Sequence, residues 1–306
     1  MPFHGLDYRL REFRRVRRFR EHGNSLAMGQ SMAAAATTGF GADWPGEPPG
    51  LAQHTRLQLA QLREEMAVAA AVQRNLLPPD EFRLPPYEVA AAWVPCFALA
   101  GDFYDLIHVG DCVAVVVGDV AGKGLPASLL MASVRASLRA YVEAFTEGFE
   151  QLGRMMQRLN VCLARDAQQG GFATLFLGVL CPRQRRLWYC SAGHEPAVLR
   201  GRGRSGRCER LDVGGYPLGV DADATYETDA LDLQPGDVLA AFSDGIPEAR
   251  NGAGEMFGRP AAAASLRHDG QTARQIRDRL LGDVRSFSDP VRQTDDTTLV
   301  VVRVEP

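Results

Sequence analysis

From residue 51 to residue 77 the chain runs without a glycine or proline, and Leu59, Leu62, Met66, Ala69, Gln73 and Leu76 recur at alternating three- and four-residue steps. That spacing draws one stripe along an α-helix, of a width that packs either on a second copy of itself or on its own domain. Pro78 and Pro79 close the segment, because a residue before proline is pushed out of the α region. Beyond Pro86 the pattern changes to short apolar runs parted by Gly, Asp and Pro. Such runs predict strands at 87–94, 103–109, 113–118, 173–180, 186–191, 197–199, 238–242 and 297–304. Helical periodicity predicts helices at 127–147, 150–167 and 272–287. Many strands with few helices between them argue for a layered α+β domain and against a βαβ array.

Ahead of this region the chain has a different character. In residues 1–22, Leu6, Leu10, Phe13 and Val16 fall at helical spacing among seven arginines. The segment is either a basic amphipathic helix for an anionic surface or partner, or a solvated extension. Residues 23–50 are rich in Gly, Ala, Ser and Pro, a composition that buries too little apolar surface to offset the entropy of ordering. The expected organisation is a poorly ordered segment 1–50, a linker helix 51–79 able to form a dimeric coiled coil, and a folded domain 80–304.

Composition narrows the function classes. With 46% hydrophobic residues in 306, the chain has ample material for a core. A formal net charge of −3 gives no reason to expect nucleic acid as a partner. The six cysteines form no C-x-x-C pair and read as reduced, small apolar residues. No apolar run reaches the roughly 20 residues that span a bilayer, and arginines stand where a signal peptide needs its apolar stretch. The expectation is a cytoplasmic protein with no transmembrane segment.

Four acidic sites share one context, each at the end of an apolar strand beside Gly or a turn residue. They are Asp102 in LAGDFYD, Asp119 in VAVVVGDVAGKG, Asp244 in VLAAFSDG, and Asp295 with Asp296 in QTDDTTLVVV. Singly, each has an ordinary explanation as turn chemistry. As a set, carboxylates at neighbouring strand ends converge on one cleft and require a cation to neutralise them. Oxygen ligands without His or Cys suit Mg²⁺ or Mn²⁺.

The motifs LAGDFYDL, VVVGDVAGKGLPASLLMA, FATLFLGVL, LWYCSAGHEPAVL, YPLGV, LQPGDVLAAFSDGIPEARN and QTDDTTLVVVRV together resemble, in order and spacing, the metal-dependent (PPM, type 2C) protein phosphatases, in their bacterial stress-response and sporulation branch. The resemblance implies a four-layer αββα sandwich, two antiparallel sheets flanked by helices, behind an N-terminal helical linker. It implies two divalent ions, Mn²⁺ or Mg²⁺. Asp119 would bridge both, with the Val120 carbonyl as a further ligand to one of them. Asp244 and Asp295 would complete the other, and Asp102 would lie close to the second ion. The implied activity is hydrolysis of phosphoserine or phosphothreonine on a protein by attack of metal-bound water. The implied substrate is a STAS-type anti-sigma-factor antagonist in partner-switching control of transcription. The resemblance also covers AVAAAVQRNLLPPD as the signal-passing linker helix, so a homodimer through 51–77 and a separate activator protein are expected partners. Ala100 departs from the pattern, standing where a first glycine is usual before Gly-Asp, and Ser243 stands where Thr is commoner.

Two further features carry a plain reading beside a functional one. Gly122, Lys123 and Gly124 precede a helix and either cradle an anion or make the turn into it. His194 in Ser-Ala-Gly-His either moves a proton near the leaving oxygen or makes a structural hydrogen bond. The rival to an enzyme is a catalytically silent module that keeps the fold and signals by binding. Three intact aspartates, Asp119, Asp244 and Asp295, count against it.

Overall fold

The computed structural model describes residues 51–166, 171–201, 208–266, 271–288 and 293–305; the readings made above for 1–50 lie outside the described residues. The chain divides into two compact units, 1–65 and 66–306. The described part of the first is the opening of helix α1 (Leu51–Leu76), where Leu57, Leu59 and Leu62 are exposed. No helix among the described residues is long and apolar enough to cross a membrane.

The second unit holds two sheets. One runs in the order β1 (Glu81–Leu84), β2 (Tyr87–Val94), β12 (Thr297–Val304), β11 (Val238–Phe242), β7 (Ala197–Arg200) and β8 (Cys208–Leu211). The other runs β10 (Asp229–Asp232), β6 (Arg186–Ala192), β5 (Ala173–Cys181), β4 (Cys112–Val120) and β3 (Asp102–Val109), with β9 (Gly214–Gly215) beside β6. All pairings are antiparallel except β6–β9. The α+β expectation holds, and so do the four layers, as the side-chain clusters make clear.

Alternation along β4 builds two of those layers at once. Val113, Val115 and Val117 face the other sheet, where they meet Leu239, Ala241, Val300 and Val302. Ala114, Val116 and Val120 face outward onto helices α2 (Leu125–Glu143) and α3 (Leu152–Asp166). A strand covered on both faces needs a nearly unbroken apolar run, and CVAVVVGDV supplies one. Its one glycine inside the run has a packing cause: a Cβ at Gly118 would lie 2.4 Å from the ring of Phe103, its cross-strand partner. On the far side of the first sheet, α4 (Gly258–Ser265) and α5 (Ala273–Phe287) close a third cluster through Ala262, Ile276, Leu280 and Val284. Thr272 and Gln275 form a capping box at the start of α5, which satisfies two of its free N–H groups.

Several boundaries differ from the sequence reading. Helix α2 begins at Leu125, two residues early, because Pro126 sits in the first turn, where no backbone donor is needed. It ends at Glu143, before the expected 147. Phe145 leaves the helix axis to stack on Phe149 at 6.5 Å against the outer core. A short 3₁₀ turn, Phe149–Gln151, takes the place of the expected first turn of α3. The expected strands do not include β1, β8, β9 and β10: β1, β8 and β10 are edge strands with partly exposed, charge-bearing sequences, and β9 is two glycines.

Helix α2 is held on the sheet by a buried charge. Asp105 of β3 is fully buried and accepts from Arg139 at 2.8 Å, with Arg135 at 3.0 Å from its other oxygen. Two guanidinium groups on one carboxylate make such burial tolerable. The contact also fixes the helix whose first residues border the acidic cleft.

Candidate metal centre

Two neighbouring strands bring the first carboxylates together. Asp102 stands directly opposite Asp119 in the β3–β4 ladder, which sets their Cβ atoms about 5 Å apart. Both are buried, at 3% and 8% exposure. The remaining acids come from the other sheet. Strand β11 ends at Phe242 and hands the chain through Ser243 to Asp244, while Asp295 and Asp296 lead directly into β12. A reciprocal pair of 3.0 Å bonds, Ser243 N–H to Thr298 O and Thr298 N–H to Ser243 Oγ, ties these two segments. Thr298 then crosses between the sheets, its hydroxyl donating to Asp102 Oδ2 at 2.8 Å.

The electrostatics of Asp102 reflect this company. Burial first, and then the Asp119 charge, push its carboxyl well above the usual carboxylate range; Asp296 and Asp244 add to the rise, and a hydrogen bond with Ser243 opposes it. Three acids acting on a fourth, buried one form a cluster of hard oxygens whose mutual repulsion a divalent cation relieves. The residues present therefore fit a Mg²⁺- or Mn²⁺-type ion.

The turn before Asp102 is shaped for close approach. A Cβ at Gly101 would lie 2.5 Å from the Val120 carbonyl oxygen, so only glycine lets the β3 entry and the β4 exit draw this near. Ala100 needs no such freedom. It is fully buried, and its backbone is gripped by Gln73 of α1, whose Nε2 donates to Ala100 O at 2.8 Å while Ala100 N–H donates to Oε1 at 3.1 Å. Trp93 Nε1 donates to the Asp102 carbonyl at 2.9 Å.

The two acids of the Asp-Asp pair have different surroundings. Asp296 is 5% exposed, and both its oxygens accept backbone N–H groups, from Cys96 at 2.7 Å and Gly101 at 3.0 Å. Asp295 keeps 30% side-chain exposure and lies 3.2 Å from Lys123 Nζ. Asp296 thus shapes the loop through both oxygens, while Asp295 accepts the Asp296 N–H at 3.0 Å and meets Lys123 through that same oxygen, Oδ1. Cys96 Sγ lies within 4.8 Å of carboxylate oxygens of both. Burial, followed by Asp296, pushes the Cys96 thiol up to about 12. It stays protonated and is no ligand for a hard ion.

His194 sits at 5% exposure with Nδ1 2.8 Å from the Thr174 hydroxyl, and Thr174 is the cross-strand partner of Asp119. Of the sequence candidates, the structure brings Asp102, Asp119, Asp244 and the Asp295–Asp296 pair to one place, with the Val120 carbonyl against Gly101. Sequence reasoning missed Gln73, Trp93 and Thr298 as supports. Only Gln73 left a signal, as the polar member of an otherwise apolar stripe.

Comparison with known proteins agrees with this geometry. The fold matches that of the SiaA-PP2C domain of Pseudomonas aeruginosa, with a TM-score of 0.68 at 20% identity over 84% of this chain and 99% of that one. In sequence, the chain is 30% identical over 264 residues to Protein IcfG of Synechocystis sp., a match covering 78% of this chain but 41% of that protein. It is 25% identical over 243 residues to the phosphoserine phosphatase RsbU of Bacillus subtilis, covering 79% of this chain and 71% of RsbU. A family model, Stage II sporulation protein E (SpoIIE), matches residues 110–305. The two-sheet sandwich with acids at its strand ends is the PP2C fold, and the chain belongs to the SpoIIE family.

Proposed function

We propose that the chain is a metal-dependent protein serine/threonine phosphatase that acts in the cytoplasm on a phosphorylated STAS-type anti-sigma-factor antagonist. The observation that carries this reading is the convergence of Asp102 and Asp119 from one sheet with Asp244 and the Asp295–Asp296 pair from the other. Likeness to RsbU, a phosphoserine phosphatase, supports the substrate class. In the proposed site Asp119, the Val120 carbonyl, Asp244 and Asp295, with Asp102 close by, are the residues that would hold two divalent ions, Mn²⁺ or Mg²⁺. Bound there, divalent ions supply an activated water nucleophile and offset charge on the transferring phosphoryl group.

The chain's own residues do the positioning. Thr298 fixes one oxygen of Asp102, Trp93 and Gln73 fix the backbone on either side of Gly101, and Asp296 pins the Cys96 and Gly101 amides. The acids are thereby held in place before any ion arrives, which lowers the reorganisation needed at reaction. The exposed leucines of α1 suit a homodimer through 51–77, and an activator protein would act on that helix.

The test is Mn²⁺-dependent phosphate release from p-nitrophenyl phosphate and from a phosphoserine STAS protein, with wild type and Asp119→Ala. Turnover of the phosphoprotein that the substitution abolishes is the expected result. No turnover by folded, Mn²⁺-loaded wild type, with the STAS protein bound but unchanged, would replace the enzyme with a binding module.

A further inference from the structure

Lys123 is the only lysine in the chain, and the fold aims it at the acidic cleft. It stands between Gly122 and Gly124, whose φ angles of 103° and 69° are open to glycine at little cost. The turn they make points its side chain across to the β12 entry. There its ammonium lies 3.2 Å from Asp295 Oδ1 and donates to the Thr294 carbonyl. Each side chain of the ion pair is 30% exposed, so the contact is neither fully solvated nor sealed.

This pair engages one of the acids at the mouth of the cleft, through the same oxygen, Oδ1, that accepts the Asp296 N–H at 3.0 Å. Asp296 differs in having both oxygens engaged by backbone N–H groups, those of Cys96 and Gly101. A lysine ammonium and a divalent ion cannot both sit on one carboxylate without strong repulsion, roughly 2 kcal/mol at 5 Å even in water. The stem of four methylenes lets the ammonium swing away while its turn stays fixed. A phosphoryl dianion entering a cleft of carboxylates needs positive charge near it, and among the described residues three arginines are already engaged elsewhere. Arg259 grips Glu195 beside His194, and Arg135 and Arg139 serve Asp105.

We propose that Lys123 exchanges partners: it is the counter-ion of Asp295 in the metal-free site, and once a divalent ion takes that carboxylate its ammonium holds the phosphoryl oxygens of the substrate. The inference rests on the phosphatase reading and adds to it a residue that touches substrate. It also makes metal entry and phosphate capture two halves of one exchange.

The experiment compares wild type, Lys123→Met and Lys123→Arg as full chains. Mn²⁺ affinity is measured by calorimetry without substrate, and steady-state kinetics are run on the phosphoserine STAS protein at saturating Mn²⁺. The Met variant, freed of the competing charge, is expected to bind Mn²⁺ about tenfold more tightly. Its KM for the phosphoprotein is expected to rise about tenfold with a smaller change in kcat. The Arg variant, keeping the charge, is expected to stay near wild type in both. A Met variant with wild-type or weaker Mn²⁺ affinity, or with a wild-type KM, overturns the exchange. Wild type that binds no Mn²⁺ overturns the exchange and the phosphatase reading together, a result distinct from wild type that binds and turns over while the Met variant simply matches it.

Discussion

Gln73 and Ala100 hold each other by a reciprocal pair of hydrogen bonds, the side-chain amide of one helix residue satisfying both the N–H and the C=O of a loop residue two positions before Asp102. Both partners are buried, so the linker helix and the acidic cleft share a rigid contact. Replacing Gln73 with Leu would keep the volume and strand two backbone groups. We expect a loss of about 2 kcal/mol, or a fall in Tm of some 4–8 °C for a domain of this size, and a drop in kcat from a loosened Gly101–Asp102 turn. Thermal melts and phosphatase kinetics check this, and a Leu variant as stable and active as wild type would show the contact to be idle.

Gly101 tests the cleft from the other side. An added methyl would press on the Val120 carbonyl at 2.5 Å, and relief requires β3 and β4 to part at the paired aspartates. Gly101→Ala is expected to weaken Mn²⁺ binding and cut kcat by about tenfold or more. Far-UV circular dichroism should stay native. Unaltered metal affinity would mean the turn yields without disturbing Asp102 and Asp119.

Asp102 predicts a pH dependence that is peculiar to the metal-free protein. Its folded pKa is raised, by burial and then by Asp119, so the folded state holds this proton more tightly than the unfolded chain does. Stability from this group is therefore complete below the unfolded value of about 4 and is lost as pH rises through the folded value. In EDTA, Asp102→Asn should be more stable than wild type at pH 8, with the gap closing toward pH 4. Mn²⁺ should raise the Tm of wild type and do far less for the variant. Equal melting of the two proteins in EDTA at pH 8 would contradict the assignment of strain to this carboxyl.

The leucines of α1 bear on assembly. Leu59 and Leu62 belong to the apolar stripe and are 50% and 54% exposed. If the helix pairs with its copy, Leu59→Glu with Leu62→Glu should convert a dimer to a monomer in light scattering, leaving p-nitrophenyl phosphate turnover intact. A wild-type chain that is already monomeric at micromolar concentration removes this pairing from the reading.

Much of this architecture was legible in the residue pattern. Strands such as β2, β11 and β12 announced themselves because both faces are covered and their sequences are mostly apolar. Edge strands β1, β8 and β10 did not, since a half-solvated strand carrying charges looks like loop. The acids of the cleft were legible because chemistry restricts their type, whereas their supports were not. Thr298 and Trp93 act through single hydrogen bonds set by strand register and sheet packing. Local sequence carries no trace of either. Gln73 was visible as an oddity in its stripe, and the structure supplies the reason for it.

Asp102 and Asp119 ride on one sheet, Asp244, Asp295 and Asp296 at strand ends of the other, and the Thr298 hydroxyl is among the groups that span the gap. The cleft is therefore a gauge of how the layers are aligned. A slide of about 1 Å between sheets would leave the apolar core dry, yet a misplacement of that size at reacting groups costs on the order of 100-fold in rate. Substitutions in the layer between the sheets, at Leu239 or Val302 far from any substrate, should register as altered metal affinity well before they register as unfolding. Any partner able to shear one sheet against the other would govern the chemistry without approaching it.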